Sequence, residues 1–373
     1  MAVKLPPPGP GARNALTDVP GLRVGHATRI GGGALTGATV VLGPPGGMVA
    51  AVDVRGGGPG TRETDALDPR NLVPRIEAVA LTGGSAYGLD AASGVMAWLA
   101  DQGRGFPVGT EPHEVVPVVP AATIFDLGRG GDFRQRPDAA LGREAVEAAA
   151  GTPEHAPVRT GIVGAGAGAF AGGLKGGVGT ASCLLDGGVT VAALAVVNAA
   201  GSAVDPTTGL PYAAGLGLPG EFPLDPPSHH EHAAALAQFA EADPPLNTTL
   251  AVVATDAVLT RAQAHKTAGA AHDGLARALR PVHTLYDGDT VFALSTAVRP
   301  LPPVDAETPY GVDAEAAALT AIHAAAADVV ARAIVDAVLA AESTDMVLGG
   351  TRVMVPCYRA LYPRATARYR PRG

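Results

Sequence analysis

The chain has 373 residues, 47% of them hydrophobic and 17% charged, which is enough apolar material for one large domain or two packed subdomains and excludes a disordered chain. The net charge of -8 is carried by residues 1–247, with 15 basic and 23 acidic side chains against 12 of each in 248–373, and this acidic balance argues against a nucleic-acid partner. The apolar residues are interrupted by 50 Gly and 33 Pro with no unbroken run near ~20 residues, so no membrane span is expected.

In chain order, short β-type runs at 21–26, 38–42 and 48–54 alternate with glycine turns and predict a meander of strands. The run 76–82 predicts a buried strand, followed by the turn Gly83-Gly-Ser-Ala-Tyr-Gly88 and an amphipathic helix from about Leu89 to Ala100. Residues 101–160, rich in Pro, Gly and charge, predict loops laid over a core, with one apolar run at 115–124 and a short helical stretch at 139–150. The glycine-dense segment 160–180 and the run 188–198, a fully buried strand in character, are expected to be adjacent strands. A polar, Pro-rich stretch at 201–246 holds a small helix around 231–240. After it come a strand at 248–254, a helix at 260–279, a strand at 289–296 and a long Ala-rich helix at 313–341. Strands mixed with helices able to cover both outer faces predict stacked sheets between helical layers, an α/β fold. With aromatics at only 4%, the core must be built from Ala, Val and Leu, with Gly allowing close backbone approach.

Cys183 and Cys357 stand far apart and make neither a disulfide framework nor a metal set, and no apolar export signal is visible, so a reducing cytoplasm is the expectation. The six arginines from Arg352 to Arg372 read as a mobile or subunit-contacting terminus rather than a nucleic-acid site.

Several segments invite a chemical reading. A phosphate loop in 161–180 would need Ser or Thr after its lysine, but Lys175 precedes Gly176, and no helix N-terminus follows to hold a pyrophosphate. Close backbone packing beside a site is the better reading. Ser85, in a near match to a nucleophile elbow, could attack a substrate directly or sit in a tight turn that admits a substrate. His229, His230 and His232 beside Glu231 lie in proline-rich surroundings and read as a solvated loop, so no metal or cofactor is expected. His26, His272 and His283 each stand near apolar runs and read as structural residues.

The most informative segment is Leu246-Asn-Thr-Thr-Leu-Ala-Val-Val-Ala-Thr-Asp256, where a polar loop enters a buried strand through two hydroxyl residues. Attack of the Thr248 hydroxyl on the Asn247 carbonyl would form an ester whose hydrolysis frees an N-terminal Thr. Its amine, with a reference pKa of about 7.7 to 8.0, could then accept the proton of its own hydroxyl. Such chemistry needs an oxyanion donor, for which Asn198 at the end of a buried strand is the candidate, and polar groups about the amine, for which Asp287-Gly-Asp289 is the candidate.

These residues carry a resemblance. Segments 14–26, 57–64, 81–88, 172–180, 196–199, 247–256 and 271–277 resemble the L-aminopeptidase D-esterase/D-amidase (DmpA-type) family, which includes the β-peptidyl aminopeptidases. The resemblance implies an αββα four-layer sandwich and self-cleavage between Asn247 and Thr248. It gives an α chain of 1–247 and a β chain of 248–373 that remain one globular unit. It further implies a Thr248 nucleophile where many relatives use Ser, Asn198 at the oxyanion, and Asp289 with Asp287 at the amine, Asp287 standing where relatives have Ser. Phe125 and Asp126 fall where the family places an aromatic and an acidic residue for the substrate amine. The implied substrate is a short peptide or an amino-acid amide or ester, and the implied assembly is a homo-oligomer, a tetramer. Rival readings are an unprocessed serine hydrolase using Ser85 and a small-molecule binding protein on the same fold.

Overall fold

The computed structural model describes residues 9–239, 246–302 and 314–371. Ala240 at the end of the small expected helix, residues 243–245 ahead of Asn247, and Asp313 lie outside them. Two five-stranded sheets form the centre. The first takes β1 (Arg23–Gly31), β2 (Ala34–Leu42), β4 (Thr61–Arg62), β5 (Ala78–Thr82) and β6 (Ala121–Thr123) in the order β1-β2-β5-β6-β4. The second takes β3 (Val49–Val54), β7 (Gly177–Leu184), β8 (Thr190–Asn198), β9 (Thr248–Ala257) and β10 (Thr290–Arg299) in the order β7-β8-β9-β10-β3.

The expected opening meander is therefore only a hairpin. Its third strand, β3, leaves for the other sheet and pairs antiparallel with β10. Periodicity marks a strand but not its partner. The apolar run at 115–124 is also more than loop, because β6 within it pairs parallel with β5.

Side-chain alternation builds the layers. Along β8, Ala192, Leu194 and Val196 enter one core with Leu250, Val252, Val79 and Leu81, the core between the sheets. Val191, Ala193, Ala195 and Val197 enter another with Ala251 and Val253 and with helices α3 (Arg261–Ala278) and α4 (Ala314–Ala340). A strand buried on both faces reads as a continuous apolar run, which is how 188–198 reads. On the far side, Ala38, Val40, Ala78 and Ala80 meet α1 (Ala91–Asp101) and α2 (Ala139–Ala150). Helix, sheet, sheet and helix thus stack in an αββα sandwich, and residues from both sides of position 248 share its cores.

Small residues let the layers close. A Cβ on Gly179 of β7 would sit 2.1 Å from the Ala333 carbonyl oxygen of α4, so helix and strand backbones touch there. Helix α3 begins with a capping box, Thr260 accepting from the Gln263 amide and Gln263 from the Thr260 amide. Helix α4 is long and apolar enough to cross a membrane by length and composition. It lies instead in the core and carries buried charge, Arg332 paired with Glu221 at 2.7 Å and Asp336 accepting from the Thr180 amide. The hairpin Thr344–Leu348 with Thr351–Val355 has no counterpart in the expected elements.

Candidate active site

Strand β9 opens at Thr248 between antiparallel β8 and parallel β10, and Thr248 pairs in register with Asn198. Thr248 shares the parity of Leu250 and Val252, and Asn198 that of Leu194 and Val196, so both side chains face the space between the sheets. Both are buried. Backbone carbonyls of a strand point in the sheet plane toward one neighbour or the other. That of Asn247 points to the loop before β10, where it accepts the Gly288 N–H at 3.1 Å, while the Asn247 N–H donates to the Tyr286 carbonyl at 3.0 Å. The Thr248 hydroxyl donates to the same Asn247 carbonyl oxygen. A Cβ on Gly288 would lie 2.7 Å from Thr248 Oγ1 and 2.9 Å from the Gly58 carbonyl oxygen, so this position has room only for glycine.

The loop 284–289 forms one flank of the Asn247–Thr248 bond. Asp289 accepts from the Thr249 N–H at 2.7 Å through Oδ1, and through Oδ2 from the His283 N–H at 3.0 Å and from Nδ1 at 2.8 Å. His283 holds φ +57, the left-handed region, which lets its backbone and its ring reach one carboxylate oxygen. Asp287 accepts from the Ala200 N–H at 3.1 Å and from the Thr284 amide and hydroxyl. The Gly56 and Gly58 amides clasp this loop by donating to the Asp289 and Asp287 carbonyls. Among the described residues both carboxylates are thus spent on the frame around Thr248.

The other flank is Asn198. Its Oδ1 accepts from the Phe170 N–H at 3.0 Å and from Arg129 Nη1, while its Nδ2 is buried and without a partner among the described residues. Arg129 Nη1 also donates to the Gly168 carbonyl at 2.7 Å, and its Nη2 is buried and unpartnered among the described residues. Lys175 Nζ donates to the carbonyls of Gly166 and Gly176. Burial pushes the Lys175 ammonium well below its usual range, Arg129 adding to the effect, and burial brings the Arg129 guanidinium down to about 10. The charges of both pull on Asp126, and burial pushes its carboxyl up to about 6 against that pull.

The remaining expected residues fall around the Gly83-Gly84 turn. Asp126 Oδ1 accepts the Gly84 N–H at 2.6 Å with the residue 2% exposed, so its carboxyl lies beneath the turn. Phe125 is half-buried beside it. Ser85 sits at φ +50 with its N–H donating to the Ile124 carbonyl, and among the described residues no histidine or carboxylate hydrogen-bonds its hydroxyl. His232 bonds the Tyr362 hydroxyl and the Pro206 carbonyl.

Three residues join the site that sequence reasoning did not bring there. His283, read as structural, holds Asp289; Lys175, weighed only against a phosphate loop, lies in the buried cluster; and Arg129 was not singled out. Their shared signal is a lone basic side chain in a glycine-rich or apolar stretch, which folding must bury and satisfy.

Residues 14–352 match the model described as peptidase family S58. An uncharacterised aminopeptidase of Mycobacterium bovis is 51% identical over 362 residues, 94% of this chain and 99% of that protein. A 6-aminohexanoate-oligomer endohydrolase of a Kocuria species is 32% identical over 318 residues, 82% of this chain and 81% of that protein. The L-aminopeptidase D-Ala-esterase/amidase of Ochrobactrum anthropi, described as a variant of the Ntn hydrolase fold, superposes with a TM-score of 0.66 at 23% identity, covering 96% of this chain and 95% of that one.

Proposed function

The chain belongs to peptidase family S58 and is a hydrolase, and on that premise we propose that it cuts its own Asn247–Thr248 bond and then hydrolyses amides through the freed Thr248. The observation that carries this reading is the meeting of three groups at one peptide bond. The Thr248 hydroxyl and the Gly288 N–H both address the Asn247 carbonyl oxygen, at the entrance to a strand buried throughout.

In self-cleavage Thr248 Oγ attacks the Asn247 carbonyl carbon and the negative charge develops on an oxygen already facing the Gly288 N–H. The C–N bond breaks, its nitrogen takes the hydroxyl proton and becomes the Thr248 amine, and Asn247 is left as an ester on Oγ. Water hydrolyses the ester to an Asn247 carboxylate and a free Thr248 hydroxyl. In turnover the Thr248 amine takes the proton from Oγ as it attacks the substrate carbonyl and returns it to the leaving amine. Asn198 Nδ2 supplies the oxyanion donor, and Asp287 and Asp289 hold the loop and the Thr249 amide that fix the nucleophile. No cofactor enters either step.

The substrates proposed are short peptides cut at the amino end and amino-acid amides and esters. The relatives named as 6-aminohexanoate-oligomer endohydrolases support including 6-aminohexanoate oligomers among the proposed substrates. A homo-oligomer, a tetramer by family resemblance, belongs to the same proposal. Leu285 and Tyr286, 83% and 65% exposed beside the site, are apolar surface that such an assembly would cover, and light scattering measures its size.

Intact mass and a denaturing gel of the wild type beside Thr248→Ala test the reading. The expected result is two wild-type fragments, the smaller beginning at Thr248, and a whole, inactive variant. A wild type that stays whole yet hydrolyses aminoacyl p-nitroanilides moves the nucleophile to Ser85. One that stays whole and inactive moves the protein to a binding role.

A further inference from the structure

An asparagine amide serves as an oxyanion donor only if its nitrogen end faces the reacting carbonyl, and its two ends are nearly equal in size. At Asn198 the choice is made by two donors converging on Oδ1, the Phe170 N–H and Arg129 Nη1. A flipped amide would set its own N–H groups against both, leaving buried donors facing donors. Arg129 is itself fixed, through the Gly168 carbonyl, through the Phe170 ring 5.9 Å from its guanidinium carbon, and through burial at 2% exposure. It reaches Asn198 from the turn after β6, in the opposite sheet, so the contact ties the donor's direction to the packing of the two sheets.

We infer that Arg129 is a positioning residue for turnover, acting through Asn198 to hold Nδ2 toward the Thr248 hydroxyl. The guanidinium stays charged at neutral pH, since burial lowers it only to about 10. The Phe170 N–H alone would hold one point of the amide and leave its plane free to turn. The inference rests on the oxyanion role proposed for Asn198.

The test is a double-mutant cycle on the processed enzyme, with kcat and KM measured on an aminoacyl p-nitroanilide and normalised to the cleaved fraction. In the wild-type background Arg129→Met should lower kcat by about 10- to 100-fold, as expected for a misdirected catalytic group, with KM changed less than about threefold. Arg129→Lys, which keeps the charge and one donor, should recover part of the loss, and it replaces the Met variant if that one fails to fold. Asn198→Ala should lower kcat by about 10² to 10³. In the Asn198→Ala background either Arg129 variant should change kcat by less than about threefold, because the group it acts through is gone. Equal losses in both backgrounds, or no loss in the first, overturn the role of Arg129 alone. An Asn198→Ala enzyme as fast as the wild type overturns the oxyanion reading and this inference with it.

Discussion

On one flank of the Asn247–Thr248 bond, the carboxylates of Asp287 and Asp289 meet six donors from residues 200, 249, 283 and 284, and both acids are fully satisfied. On the other, Asn198 Nδ2 and Arg129 Nη2 are buried with no partner among the described residues. A satisfied network rigidifies, whereas an unsatisfied buried donor is costly unless something negative arrives to meet it. The loop flank is therefore a frame that fixes where Thr248, the proposed nucleophile, stands. In the proposed mechanism the Asn198 flank is the receptor for charge that exists only while a carbonyl is under attack.

The contrast can be broken on the frame side. Gly288→Ala places a Cβ 2.7 Å from Thr248 Oγ1, with the Gly58 carbonyl preventing retreat, so the hydroxyl must move. A displacement near 1 Å is expected to slow self-cleavage by on the order of 10²-fold, read from the decay of the 37.1 kDa precursor on a denaturing gel. Cleavage at the wild-type rate would mean that the loop does not set the nucleophile's place.

The receptor flank can be sharpened through its acid. Burial holds the Asp126 carboxyl at about 6 when folded against the ordinary 3.8, so between those values the folded chain binds more protons than the unfolded one. Stability should therefore fall as pH rises from about 4 to about 6, by on the order of 2 to 3 kcal/mol from this group. Asp126→Asn should lack that slope, since the amide still accepts from Gly84 but does not ionise. Urea midpoints of both proteins at pH 4, 5, 6 and 7 measure the difference, and parallel curves would mean that Asp126 does not titrate there.

The smallest effect is expected outside both flanks. Ser85→Ala removes a hydroxyl with no base partner among the described residues, and kcat/KM should stay within about twofold of the wild type. A loss of two orders of magnitude would restore Ser85 as nucleophile.

Much of the architecture was legible. The continuous apolar runs at 188–198 and 248–254 are β8 and most of β9, each buried on both faces, and helix 260–279 is α3 within a residue at either end. Thr248 and Asn198 stood out because a polar residue at the end of such a strand needs a reason. The place of β3 was not legible, since an alternating run states that a strand exists and not which sheet takes it.

The sequence by itself determined most of the core strands and helices, where a polar loop enters a buried strand, and that Thr248 opens it. These follow from local periodicity and backbone preference, which are properties of neighbouring residues. Only the tertiary structure decided that the Asn247 carbonyl faces Gly288, that His283 folds back on Asp289, and that Arg129 meets an asparagine 69 residues away. Those contacts cross between strands, loops and sheets, and their directions are set by how the layers pack.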